Sequence, residues 1–374
     1  MKDSEQAASQ RIWSGHSLWW PYAIGQSVLD SCFWWLDHAF EHADHSNDAA
    51  LPWTTPNKVL LELPAMRLRD FSRRETCQPV LICAPYALHR ALIADFAAHH
   101  SIVEALQWAG LDPFYLTDWR SASPEMRFWS IDDCLEDLNV AVDEIGTPID
   151  LVGLCQGGWL SLLYAARFPK KVRRLVLVGA PVDVSVESAL SWAAANAPQS
   201  SLEVLVDSGG GLIRGHHMLH LWNGSADPEA ALQIRLSRDI AADRELLDRF
   251  KRWNSETLDL PGTFFLQVVR SIFRENRLAR GSFMALGREI RLQRVEAPVF
   301  LLVGVDDEIV PAEQAMATAS LLGAGAASVE STIVPSDHLG LFIGGRTLAN
   351  WWPRVAAWLQ VSEPVLRSRK AALA

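Results

Sequence analysis

Short apolar runs alternate along much of the chain with longer stretches whose apolar residues recur every three to four positions. Val59–Leu63 and Met66–Phe71 read as an opening hairpin. Val80–Pro85 is an apolar run ending at proline, which predicts a buried strand. His100–Gly110 has helical spacing and closes on glycine. Pro113–Trp119 predicts a strand, Ile131–Gly146 a helix, Ile149–Leu154 a strand, a helix stopped at Pro169 follows, and Val172–Pro181 is another strand. Such alternation predicts a mostly parallel sheet covered on both faces.

The rhythm changes from Asp183 to Leu292, where charged helical stretches such as Ile234–Trp253 surround a Ser208–Gly211 glycine cluster. This segment reads as a helical cap inserted into the sheet domain. Strand patterning returns in Ala297–Pro311 and Ser331–Phe342, with helices over Gln314–Leu322 and Trp351–Leu359. The expected organisation is an N-terminal helical segment over 1–58, a core over 59–182, a cap over 183–292 and a second core part over 293–374.

The first 53 residues hold six of the sixteen tryptophans. Ile24, Val28, Cys32 and Trp35 fall at helical spacing, so one apolar stripe is expected there. It either packs on the main domain or adsorbs to an apolar body. No uninterrupted apolar run approaches the roughly 18 residues that span a bilayer, and no signal peptide is legible. The net charge of −10 offers no basic footprint for nucleic acid. Five cysteines without paired spacing point away from a disulfide framework or a metal site and toward a reducing, cytoplasmic location.

The chemistry centres on Gly153-Leu154-Cys155-Gln156-Gly157, between a predicted strand and a predicted helix. Such a sharp strand–turn–helix presents a nucleophile, here the Cys155 thiol, and small neighbours are needed to avoid collisions. The helix N-terminus places positive dipole behind the sulfur. The Gln156 N–H would face a developing oxyanion, with a second donor from Tyr86 or Ala87 in the loop after the Val80–Pro85 strand. A thiol nucleophile needs a base and an orienting acid. In the α/β-hydrolase order the acid follows the nucleophile and the histidine comes last, so Asp306 or Asp307 and then His338 fit. His89, also after the Val80–Pro85 strand, reads as a polar rim residue. The expected architecture is therefore an α/β-hydrolase fold with an inserted cap. An intact nucleophile, acid and base argue against a purely binding, non-catalytic protein.

The run Leu151–Val184 resembles the nucleophile region of polyhydroxyalkanoate synthases, especially the short two-component kind, through its CQGG turn and PVD end. Phe114–Leu138, Glu275–Pro311 and the HLGLFIGG run from His338 extend the resemblance over Gln78–Leu359. It implies Cys155 as nucleophile, Asp307 as acid and His338 as base, because the family's G-x-x-D-x-[IL]-V-P pattern falls on Asp307. It further implies 3-hydroxyacyl-CoA or polyester as substrate, no other cofactor, and a polyester granule surface or a second synthase subunit as partner. Thr257–Phe273, the stretch from Phe342 to Leu359 and Glu308 after the acid resemble the intracellular polyhydroxyalkanoate depolymerases, so an ester or thioester hydrolase is the alternative to a synthase.

Overall fold

The structure, a computed structural model, describes residues 50–74, 78–223, 240, 242–323 and 328–361. The tryptophan-rich stretch through residue 49 and the first part of the expected Ile234–Trp253 helix lie outside them.

Eight strands form the central sheet: β1 Lys58–Glu62, β2 Met66–Asp70, β3 Val80–Cys83, β4 Phe114–Trp119, β5 Ile149–Leu154, β6 Val172–Val178, β7 Val299–Gly304 and β8 Val329–Val334. Their order is β1-β2-β4-β3-β5-β6-β7-β8. β2 runs antiparallel to β1 and β4, and every other pairing is parallel. Every residue of β3, β5 and β7 is buried, which explains why these strands read as continuous apolar runs rather than as alternation.

The helices between strands start and stop where their caps dictate. α1 (Ile102–Trp108) begins two residues after the expected His100, because the Ser101 hydroxyl accepts the Glu104 N–H. α2 (Ile131–Ile145) opens with a capping box between Ser130 and Asp133 and ends at Gly146, φ 93°. Its Ile131, Cys134, Leu135, Leu138, Ala141 and Val142 form the buried stripe. α3 (Gln156–Arg167) is buried from Gly157 through Ala166, as expected of a helix apolar on all sides. The expected Gln314–Leu322 helix is instead two short pieces, Ala312–Met316 and Thr318–Leu322. The Ser320 N–H turns to the carbonyl only three residues back, at Ala317, a tightened turn.

Between β6 and β7 the chain leaves the sheet for helices including Ala189–Asn196, Gln199–Ser208 and α4 (Arg244–Ser255). This insert packs on the loops after β3 and β4. Leu258 donates to the Leu88 carbonyl, Ala122 to the Asp259 carbonyl and Thr263 to the Arg127 carbonyl. Those loops leave the carboxyl ends of the parallel strands, where ligands collect in open α/β sheets. A last helix, α5 (Trp352–Gln360), lies beside α1. Among the described residues no helix is long and apolar enough to cross a membrane.

Candidate active site

Cys155 stands at the turn between β5 and α3 with φ 48° and ψ −116°. A non-glycine residue in this region costs on the order of 1–3 kcal/mol and persists only where its surroundings hold it. Here the Cys155 N–H bonds to the Val178 carbonyl at 2.9 Å, and the Gly158 N–H bonds to the Cys155 carbonyl at 2.8 Å. The flanking glycines are required by contact. A Cβ on Gly157 would sit 2.1 Å from the Cys83 carbonyl oxygen, and one on Gly153 would sit 2.5 Å from the Gly158 Cα.

Three side chains from distant loops meet at this turn. Asp307 follows β7, and His338 follows β8. The His338 Nδ1–H donates to Asp307 Oδ2 at 2.7 Å. Asp307 Oδ1 accepts the N–H groups of Ile309 (3.0 Å) and Val310 (2.8 Å), which fixes the carboxylate. The imidazole also hydrogen-bonds to the Cys155 side chain. Burial disfavours a charged His338, but the Coulombic pull of Asp307 and Cys155 and the hydrogen bonds to both outweigh it. The histidine pKa is therefore held well above its ordinary value. Asp306, by contrast, is exposed. The structure thus brings Cys155, His338 and Asp307 together and leaves Asp306 outside the cluster.

The Gln156 N–H lies in the first turn of α3, where backbone donors have no intrahelical acceptor. The loop carrying Tyr86 and Ala87 lies beside the elbow, because Gly157 is pressed against the Cys83 and Ala84 carbonyls at its base. Tyr86 is buried, stacked on Trp119 at 5.0 Å and tilted against Phe264 at 5.2 Å. His89 is half-buried against Trp253. Among the described residues no group of three or more His, Cys, Asp or Glu could hold a metal ion.

Sequence reasoning missed two supports. Ala84 is clamped from both sides. Its N–H donates to Thr117 Oγ1 at 2.9 Å, and its carbonyl accepts the Trp119 indole N–H at 2.9 Å. In the aspartate–tryptophan pair at the end of β4, Asp118 takes an ion pair from Arg69 at 2.6 Å, and Trp119 braces the elbow loop. Asn276, φ 47°, donates from Nδ2 to Asp183 Oδ1 at 2.8 Å and so ties the two roots of the insert. Both residues lie in runs that carried the family resemblance.

The arrangement can perform acyl transfer: a thiol nucleophile, a base in contact with it and an acid that fixes the base. The chain is 28% identical over 319 residues to the poly(3-hydroxyalkanoate) polymerase subunit PhaC of Haloferax mediterranei, covering 81% of this chain but only 63% of that protein. It is 29% identical over 334 residues to the subunit of the same name from a Synechocystis species, covering 84% and 86% of the two chains. Among solved structures, a hydrolase from Pseudomonas aeruginosa superposes with a TM-score of 0.52 at 16% identity, over 85% of this chain and all of the other. Mouse α/β-hydrolase domain-containing protein 10 superposes with a TM-score of 0.50 at 15% identity, over 81% of this chain and 98% of the other. At such identity the structural likeness establishes the α/β-hydrolase fold alone. The model of the family described as a protein of unknown function, DUF3141, matches residues 57–350. That span holds the whole central sheet together with Cys155, Asp307 and His338, and the chain belongs to the DUF3141 family.

Proposed function

We propose that this chain is an acyltransferase of the polyhydroxyalkanoate synthase kind, polymerising 3-hydroxyacyl-CoA through a thioester on Cys155. The observation that carries the reading is the contact of the Cys155 side chain with an imidazole whose other nitrogen is fixed by Asp307. The similarity to poly(3-hydroxyalkanoate) polymerase subunits supplies the substrate class.

In the first half-reaction His338 holds the thiol proton and the sulfur attacks the thioester carbonyl. The N–H of Gln156 and that of Tyr86 or Ala87 face the oxyanion. The carbon–sulfur bond to CoA breaks, and the departing thiolate takes the proton from His338. In the second half-reaction the hydroxyl of a growing chain end attacks the Cys155 thioester. His338 takes the hydroxyl proton, a new ester forms and the Cys155 sulfur leaves. A cysteine suits the first step because one thioester is exchanged for another of similar free energy. The same reading places the chain in the cytoplasm at the surface of polyester granules, beside a second synthase subunit, with no cofactor beyond the CoA of its substrate.

Purified protein incubated with 3-hydroxybutyryl-CoA, and separately with amorphous polyester granules, tests the direction of the chemistry. CoA release with polymer growth is the expected result. Soluble hydroxy acids released from granules, without CoA-dependent polymer growth, would make the chain a depolymerase instead.

A further inference from the structure

From Ile149 to Ala166 every residue is buried except two neighbours, Cys155 and Gln156. The strand, turn and helix therefore open outward only at the nucleophile and the residue after it. The next two positions are closed by contact. A Cβ on Gly157 would meet the Cys83 and Ala84 carbonyl oxygens, and one on Gly158 would sit 2.4 Å from the Ala180 Cβ.

Gln156 is the first residue of α3. Side chains on a helix tilt toward its N-terminus, and here that end is the nucleophile turn. The Gln156 side chain thus leans back toward Cys155 rather than onward along the buried body of the helix. Among the described residues its Oε1 is withdrawn from solvent and accepts no hydrogen bond. A buried acceptor left unpaired costs about 1–3 kcal/mol, so such an atom in a native fold calls for a use. Beside a nucleophile, the donor that would satisfy it belongs to the molecule under attack.

We propose that Gln156 Oε1 accepts a hydrogen bond from the 3-hydroxyl of the acyl group transferred to Cys155, which makes Gln156 the residue that selects hydroxylated acyl groups. The inference rests on the acyl-thioester reading above and deepens it. The 3-hydroxyl sits on the second carbon beyond the carbonyl, so the carbonyl can face the Cys155 sulfur while the hydroxyl meets the adjoining residue. Gln156 would then serve the oxyanion through its backbone N–H and the hydroxyl through its side chain. An acyl group without that hydroxyl leaves the buried oxygen unpaired, and a site built to pair a substrate hydroxyl discriminates on that ground.

Single-turnover acylation with 3-hydroxybutyryl-CoA and with butyryl-CoA reads the selection, as CoA released and as adduct mass on the Cys155 peptide. Both thioesters are run on the same sample, so the ratio of their rates does not depend on the folded fraction. The wild type should acylate about tenfold faster or more with the hydroxylated thioester. Gln156→Met keeps the backbone N–H but has no oxygen, and should lose most of that preference. Gln156→Glu keeps an acceptor oxygen and should retain the preference while both rates fall. Because Oε1 has no protein partner to lose, Gln156→Met should melt no lower than the wild type. Equal rates for the two thioesters in the wild type, a preference that survives in Gln156→Met, or a lowered melting temperature would overturn the proposal. Each of those results leaves acylation of Cys155 standing. Failure of both thioesters to acylate Cys155 would instead sink the acyl-thioester reading, and the proposal with it.

Discussion

His338 Nδ1 donates to Asp307 Oδ2 at 2.7 Å, while the neighbouring Asp306 faces solvent. Only one of two adjacent carboxylates therefore orients the imidazole. Asp307→Asn should lower kcat on the order of 10³-fold or more, by analogy with other triad acids. Asp306→Asn should stay within a few-fold of the wild type. Steady-state kinetics of the two variants decide the matter, and a crippled Asp306 variant would assign the role to the wrong residue.

Thiol accessibility provides a second check. Burial pushes the Cys83 thiol up to about 12 and holds Cys134 well above its ordinary range. Cys155 is partly exposed and touches His338. Iodoacetamide at neutral pH should therefore modify Cys155 well before Cys83 or Cys134. Peptide mapping over a time course reads the order, and early modification of Cys83 would contradict it.

The Ala84 clamp makes a prediction about an aromatic residue distant in sequence. Trp119→Phe keeps most of the packing against Tyr86 but leaves the buried Ala84 carbonyl without its indole donor. Losing that bond should cost about 1–3 kcal/mol of stability. It should also lower kcat, because the Tyr86–Ala87 loop is held less firmly. Trp108→Phe, at a position 62% exposed, should change stability by no more than about 0.5 kcal/mol. Denaturant titration of both variants tests the contrast.

The central features were legible because they are local in sequence or fixed by a sharp steric demand. β5, the glycine-flanked turn and α3 are contiguous, and the crowding at Gly153 and Gly157 accounts for the pattern that announced them. The order of acid and histidine after the nucleophile was enough to single out His338 and to narrow the acid to Asp306 or Asp307, and the family pattern then favoured Asp307. What escaped depends on pairs far apart in the chain. Asp183 and Asn276 meet across the whole insert, and nothing in either residue's neighbourhood specifies the other. The break between Met316 and Thr318 turns on one carbonyl's choice of partner, which periodicity does not encode. The tryptophan stripe through Trp35 lies outside the described residues, so its packing stands as an expectation.

Asp137 sets a pH dependence of stability. Burial, joined by the charges of Asp133 and Glu136, raises its carboxyl to about 6, against about 3.9 in an unfolded chain. Between those values the folded protein holds the extra proton, so stability from the neutral form is present at low pH and lost as pH rises through about 6. Asp137→Asn should raise the melting temperature at pH 8 by roughly 1–3 °C, allowing for the group's partial exposure. The gain should shrink as pH falls toward 4. A variant that melts below the wild type at pH 8 would show that the carboxylate stabilises the fold.

The account turns on a covalent acyl group carried by one sulfur. Intact-mass measurement after brief mixing with 3-hydroxybutyryl-CoA, followed by peptide mapping, looks for that group directly. The expected result is a hydroxyacyl adduct on the Cys155 peptide, appearing with release of CoA, labile to hydroxylamine and absent from Cys155→Ala. CoA release that persists in Cys155→Ala, or an adduct that maps to another residue, would contradict the central claim.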